Sequence, residues 1–252
     1  MFKDNSFVYK CVRGEMGLAM KSFQLEKNAE DIYRIDYLMQ LTRGKYILHL
    51  GCVSDPDMIK NEIAQGVWLH KLLTDNSAEC LGIDINKEGI EFIKNNINMK
   101  NVIYADIQKD GILEIMRHKW DFIVLGEVLE HVCDPVSFLR DIVQNYGEFI
   151  DKYIITVPNA LSLINAVDAA LKNSETIYTD HMYWFTPYTL YRVIDKAGLF
   201  LDHLLMCSSG SKEYLENSQK GKFLRRFRSK IYHNLLTKRP LLNNDIIMVC
   251  KR

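Results

Sequence analysis

Apolar runs of four or five residues recur along the chain, and amphipathic stretches long enough for helices lie between them. The runs are Tyr46–Leu50 (YILHL), Cys80–Asp84 (CLGID), Val102–Ala105 (VIYA), Phe122–Leu125 (FIVL) and Tyr153–Val157 (YIITV). They read as continuously apolar rather than alternating, as strands covered on both faces do. Helices are predicted over Pro56–Leu73, Lys87–Asn96, Pro135–Tyr146 and Pro187–Ala197, and Gly198 stands where a helix C-cap belongs. Further strands are expected near Leu201–Cys207 and at Ile246–Cys250 (IIMVC). This alternation predicts an α/β fold, a doubly wound and mostly parallel sheet with helices on both faces. Residues 1–43 precede the sheet as an N-terminal helical extension, with a helix expected over Glu26–Leu41. No internal repeat or low-complexity tract interrupts the pattern.

Composition narrows the class. The chain has 252 residues, enough for one large domain, with Lys+Arg and Asp+Glu both at 32. Zero net charge gives no footprint for nucleic acid. The cysteines (Cys11, Cys52, Cys80, Cys133, Cys207, Cys250) are scattered singly, which fits reduced cytosolic thiols and excludes a zinc knuckle or thiol-redox motif. No signal-peptide core opens the chain and no apolar stretch reaches the ~18 residues of a membrane span, so a cytoplasmic protein is expected. Neutrality fails locally between Ser208 and Leu242, where nine Lys/Arg face two Glu. There Phe223, Phe227, Ile231 and Leu235 recur every four residues beside Arg225, Arg226, Arg228 and Lys230, the pattern of a basic amphipathic helix. Three readings stand for this insertion: a helix packed on the domain with a solvated basic face, peripheral contact of 222–235 with an anionic substrate or membrane surface, and a dimer contact.

In an open parallel sheet ligands bind outside the carboxyl ends of the strands, so the residues that end each run carry the functional argument. Gly51 follows the first run and permits a tight turn before a helix N-terminus. Asp84 ends the second, where a carboxylate can accept from both hydroxyls of a ribose or else cap the next helix. Asp106 follows the third, suited to an exocyclic amine such as adenine's or, again, to a helix cap. The fourth run leads into Gly126-Glu127-Val128-Leu129-Glu130-His131, and the fifth into Pro158-Asn159. Val53 and Pro56 stand where a dinucleotide fold needs its later glycines, and neither Gly44-Lys45 nor Gly221-Lys222 continues into Ser or Thr. A nucleoside without phosphate, S-adenosylmethionine (SAM), fits this pattern better than NAD, FAD or ATP.

The segments YILHLGCVSD, LGIDIN, VIYADI, WDFIVLGEVLEHVCDP, YIITVPNA and HMYWFTPYTLYRVIDKAGL resemble, in order, the motifs of class I SAM-dependent methyltransferases, with the nearest likeness to the bacterial group that modifies small molecules and glycans. The resemblance covers roughly residues 44–206 and the final strand. It implies a SAM-dependent methyltransferase domain over 44–252, with a seven-stranded sheet whose last strand is antiparallel. It further implies that Gly51 and Cys52 pass the methionine end of SAM, Asp84 and Ile85 the ribose, and Asp106 and Ile107 the adenine. Gly126 and Glu127 would flank the cofactor, while Glu130, His131, Asn159, His181 and Tyr183 would face the acceptor. His49 departs from the acidic residue usual in the family, and Val53 and Asp55 replace further glycines.

The expected reaction is displacement at the sulfonium methyl, in which alignment of nucleophile, carbon and sulfur supplies much of the catalysis. A hydroxyl acceptor on a small molecule or glycan must lose its proton, and His131 or His181 suits that task. Each histidine has a plainer reading, a helix N-terminal contact for His131 and a surface loop for His181. Glu127, Glu130 and His131 match no recognised ligand spacing, so no metal is expected. The competing reading is a non-catalytic binding module that retains the fold, favoured by the worn glycine loop and opposed by Asp84 and Asp106.

Overall fold

A computed structural model describes residues 1–252 except Leu18, Asp110 and 213–233. The basic stretch from Phe223 to Ile231 thus lies outside the described residues. After it, 234–238 is helical, with Leu236 buried.

Two short helices open the chain, α1 (Asn5–Arg13) and α2 (Arg34–Thr42). There follow β1 (Tyr46–Leu50), α3 (Pro56–Gln65), α4 (Leu69–Asn76), β2 (Glu79–Asp84), α5 (Lys87–Phe92), β3 (Val102–Tyr104), α6 (Leu113–Met116) and β4 (Trp120–Gly126). The remainder is α7 (Pro135–Tyr146), β5 (Ile150–Pro158), α8 (Leu163–Val167), α9 (Pro187–Lys196), β6 (Phe200–Cys207) and β7 (Asp245–Lys251). The described strands form one seven-stranded sheet in the order β3-β2-β1-β4-β5-β7-β6. The β1 through β5 pairings are parallel, and β7 runs antiparallel between β5 and β6.

Successive strand residues enter opposite faces, as the pleat requires. Leu48, Leu81, Ile123, Leu125, Tyr153 and Ile155 pack on the side of α1, α7 and α9, joined there by Val8, Val12, Leu139, Ile142, Leu190 and Ile194. Ile47, Cys80, Val124, Ile154, Ile247 and Val249 pack with Leu38 of α2 and Leu73 of α4. The doubly wound expectation therefore holds. Trp120 shows how the polar tips are satisfied: fully buried at the start of β4, it donates its indole N–H to the Ile115 carbonyl at 2.8 Å.

Two helix expectations need correction. The span Pro56–Leu73 is two helices, because Gly66 takes φ 68° and donates its N–H to the Glu62 and Ile63 carbonyls, closing α3 before α4 begins. Helix over Glu26–Leu41 is confined to Arg34–Thr42. Upstream the chain is extended, since the Lys3 N–H donates to Gln24 and the Glu26 N–H to Met1. Tertiary pairing there overrides helical propensity. Phe2, Val8, Val12 and Leu25 are buried in the main core, so the N-terminal segment packs as part of the domain rather than as an appendage.

Candidate functional site

Strand order reverses between β1 and β4, neighbours that are not consecutive in sequence. At such a switch point the loops after the two strands diverge and leave a crevice. Gly51 forms one lip. It takes φ +73°, and a Cβ there would lie 2.6 Å from Cγ2 of Val128, the residue on the opposite lip. Only glycine permits that approach without displacing Val128.

Asp84 is buried at the end of β2 and ties the first two loops together. One oxygen accepts from the Val53 N–H at 2.9 Å, the other from the Asn86 N–H at 2.9 Å. Desolvation raises its pKa, and these N–H groups oppose the rise. Each oxygen keeps a further acceptor position, which matches the two hydroxyls of a ribose. Asp106 is differently placed. One oxygen accepts from the Gln108 N–H at 3.1 Å and the other pairs with Lys109 at 2.9 Å, a partner that holds its pKa below the usual range. As it stands Asp106 caps a turn, and an incoming amine has to share it with Lys109. Ile85 is exposed, while Cys52 and Ile107 are buried. Any contact of Ile107 with a base thus falls to its backbone N–H. Gly126 lies against Leu69, whose Cδ2 would be 2.8 Å from an added Cβ.

His49, at the position where the family usually has an acid, has its Nδ1 3.2 Å from Nδ1 of His70 beneath the first loop. Burial pulls both imidazoles down, His49 well below the ordinary histidine value and His70 to about 4. Both are neutral in the folded protein, with one ring donating to the other.

Glu127 opens the second half of the site and is held by Thr156 and Arg34. It takes φ 58°, the left-handed region, which costs on the order of 1–3 kcal/mol for a residue with a side chain. Its N–H donates to the Thr156 carbonyl at 3.1 Å, and its carboxylate accepts from the Thr156 hydroxyl at 2.8 Å. Arg34, the first residue of α2, reaches across at 3.1 Å and also pairs with Asp245 at 3.3 Å. Desolvation works against the Arg34 charge, but Glu127 and Asp245 outweigh it and hold the guanidinium protonated. Ser209 donates to the other Asp245 oxygen at 2.9 Å.

Arg34, Thr156 and Asp245 are what the strand-end reading misses. Asp245 could have been found: β7 is antiparallel, so its first residue, paired with Pro158 at the end of β5, lies at the functional edge. Arg34 carries no comparable signal, since its partners are 93 and 211 residues away in the chain.

Beyond Glu127 the chain makes a tight turn, Leu129–His131, and the Glu130 carbonyl accepts from the Met182 N–H at 2.7 Å and the Tyr183 N–H at 3.3 Å. The Tyr183 hydroxyl donates to the Cys133 carbonyl at 2.7 Å, so this ring straps the 181–183 loop down. His131 and His181 are thereby brought edge to face, with ring centroids 4.6 Å apart. Asp180 pairs with Nδ1 of His131 at 3.1 Å. Ligand-type atoms of Glu130, His131 and His181 all lie within 4.8 Å of one another. This is not the Glu127, Glu130 and His131 combination weighed from spacing, because Glu127 is committed to Arg34 and Thr156. A cleft of about 420 Å³ opens here, lined by Glu127, His181, Trp184 and Asp245 among others. Asn159 borders it, but its amide is spent on the Leu241 and Asn243 carbonyls at 2.8 and 2.7 Å.

A parallel sheet with a glycine-lined crevice at its switch point and a buried acid ending the second strand defines a nucleoside-binding α/β enzyme. A family model described as a methyltransferase domain matches residues 35–204, about two thirds of the chain. Two ubiquinone biosynthesis O-methyltransferases of Neisseria meningitidis, serogroups C and A, are each 26% identical. They match over 66% and 62% of this chain and 69% and 64% of their own lengths. Among solved structures, the small RNA methyltransferase HEN1 aligns with TM-score 0.52 at 15% identity, covering 87% of this chain and 25% of that one. The methyltransferase bound to the Trm112 activator of Haloferax volcanii aligns with TM-score 0.51 at 12% identity, covering 86% and 87%. The chain belongs to the class I SAM-dependent methyltransferases, enzymes that take the transferred methyl from SAM.

Proposed function

We propose that this enzyme methylates a hydroxyl of a small-molecule or glycan acceptor, with SAM seated on the β1–β3 side of the crevice and the acceptor on the side of Glu130, His131 and His181. The observation that carries the reading is the pairing of a buried carboxylate with two free acceptor positions, Asp84, with a cleft of about 420 Å³ at the ends of β4, β5 and β7, a volume suited to a small ligand.

In this reading Asp84 accepts from the ribose hydroxyls, and Asp106 with the Ile107 N–H reads the adenine. The Gly51 turn, with Cys52, leaves room for the methionine chain. Gly126 and Glu127 form the far wall. When bound, SAM supplies a sulfonium-activated methyl. The two imidazoles bear on the acceptor oxygen, Tyr183 fixes the loop that carries His181, and Asn159 shapes the cleft floor. The O-methyltransferase names of the Neisseria relatives support oxygen as the atom methylated. The single unpaired cysteines and balanced charge support a cytoplasmic enzyme without a nucleic-acid substrate. Among the described residues no helix is long and apolar enough to cross a membrane. For the basic stretch 222–235, contact with an anionic acceptor or membrane surface is the reading that bears on this function, beside a packed helix and a dimer contact.

The test is transfer of labelled methyl from SAM to a panel of catechols and monosaccharides. Label is expected as an acid-stable methyl ether. His131→Ala and His181→Ala are expected to lower kcat at least tenfold while SAM affinity is kept, on the scale of general acid–base contributions. Transfer only to nitrogen or carbon, or full activity in both variants, would contradict the reading.

A further inference from the structure

A second cavity opens beside the acceptor cleft, and no part of the proposed reaction uses it. It measures about 670 Å³ against about 420 Å³ for the cleft, and Asn165, Thr176 and Trp184 line both. The two are compartments of one groove. Its shape follows from the sequence after β5. Ser162 caps α8 by accepting from the Asn165 N–H at 3.2 Å, and the chain stays helical through 172. Ala166 and Ala169, three apart on one helical face, line the cavity with side chains of a single carbon, so a trough is left where longer ones would fill it. Leu161, Leu241 and Leu242 line more of it. Thr176 and Trp184, the donors at the junction, are spent: the Thr176 hydroxyl donates to Asp168 at 3.1 Å and the Trp184 indole N–H to Glu175 at 2.8 Å. No Lys or Arg is among the described residues that line the trough, so an anionic ligand finds no counter-charge there. Apolar surface, by contrast, is left to water along the whole path: Leu161 in the trough is 45% exposed and Ile164 in the cleft 49%.

We propose that this trough holds an uncharged apolar chain carried by the acceptor, so that the substrate is an amphiphile. Its hydroxylated head lies in the cleft beside His181, and its tail runs past Trp184 between α8 and the turn Pro240–Leu242. The inference rests on the hydroxyl-methylation reading for the head and deepens it by naming the tail. Continuity of the two compartments is what selects this occupant. A bare catechol or monosaccharide fills the cleft alone and leaves the larger compartment wet, whereas a tail attached to the head is delivered into it. Each methylene fully buried against Ala166, Ala169 and the leucines is worth about fourfold in affinity. The tail lies away from the transferred methyl, so its contacts are equal in ground and transition states. They lower KM and leave kcat alone.

The full chain is assayed at saturating SAM with two series of acceptors, ring-alkylated catechols and alkyl glucosides, each from no chain up to octyl and below micelle-forming concentrations. The ratio kcat/KM is expected to rise about two- to fourfold per methylene, through KM, and to level off once the trough is full. In Ala166→Trp and Ala169→Trp the indole occupies the trough, and the octyl acceptor should lose its advantage over the chainless one. Leu161→Ser, an exposed and milder change, should reduce that advantage severalfold. Binding is read apart from transfer with a bromoalkyl glucoside, whose bromine quenches Trp184 fluorescence when the tail is seated; Trp184→Phe should remove the quenching, since Trp68 and Trp120 are buried in the core. The proposal is overturned by a kcat/KM indifferent to chain length, by a gain that both tryptophan variants leave intact, or by a gain that appears only with neutral phosphatidylcholine vesicles, which hands the trough to a bilayer. Transfer without a chain effect or quenching removes the tail site alone. Quenching without transfer to any hydroxyl keeps the tail site and removes the hydroxyl-methylation reading.

Discussion

The two halves of the crevice are built by different means. On the β1–β3 side the candidate positions are strand ends or lie within three residues of one, and their contacts join neighbouring strand–loop units: Asp84 bonds the N–H groups of Val53, after β1, and Asn86. On the β4–β5–β7 side the functional groups are stitched from remote segments. Arg34 binds Glu127 and Asp245, and the Glu130 carbonyl binds the 182 and 183 N–H groups. The first side needs only the regular strand-turn-helix unit to take shape. The second needs the N-terminal helix, the loop after α8 and an antiparallel strand to arrive together. A shared cofactor fits the first kind of construction, and a varied acceptor the second.

The contrast can be broken most forcefully at Arg34. Arg34→Met leaves buried Asp245 and half-buried Glu127 without their common cation, which costs on the order of 3–5 kcal/mol for a broken buried pair. A large fall in denaturation midpoint is expected, with little change in the SAM affinity of whatever remains folded. An unchanged midpoint would mean that the remote stitching is dispensable.

The cofactor side carries its own sensitivity, to acid. His70 titrates near 4 in the fold against 6.5 in the unfolded chain, so on acidification the unfolded chain takes up the proton first. Its stabilising contribution is present above pH 6.5 and is lost as pH falls toward 4, on the order of 3 kcal/mol in all. His70→Gln should flatten that part of the stability–pH curve, read from chemical denaturation at pH 7, 6, 5 and 4. A parallel curve for the variant would show that the buried histidine pair is not what acid attacks.

Smallest of the three is Gly51→Ala. With φ +73° and Val128 Cγ2 only 2.6 Å from the new methyl, the change should cost about 1 kcal/mol or slightly more in stability. It should weaken SAM more than it slows transfer from bound SAM. The opposite split between KM and kcat would assign the Gly51 lip to the acceptor instead.

How much of this was legible follows the same division. Strand identity, the doubly wound sheet and the placement of Gly51, Asp84, Asp106 and Glu127 at one edge of it could be read from runs and their endings, because a buried parallel strand announces itself and its last residue has a fixed place. The break at Gly66 was readable in principle, as the left-handed cap of a helix. The non-helical course of residues 24–33 was not, since it depends on pairing with the first three residues and with Met206, Ser208 and Thr237 far downstream. Convergence of Glu130, His131 and His181 was out of reach for a related reason. Glu130 and His131 are adjacent, but the third member arrives through backbone hydrogen bonds from fifty residues downstream. Spacing along one segment carries no trace of it.

The account turns on Asp84 as the residue that holds the cofactor's ribose. Calorimetric titration of SAM into the parent chain and into Asp84→Ala tests this directly, with circular dichroism to verify the fold. Two charge-assisted hydrogen bonds lost predict at least a hundredfold weaker binding, down to none measurable, with an unaltered spectrum. Equal affinities for the two proteins would contradict the assignment and the arrangement of the whole crevice built on it.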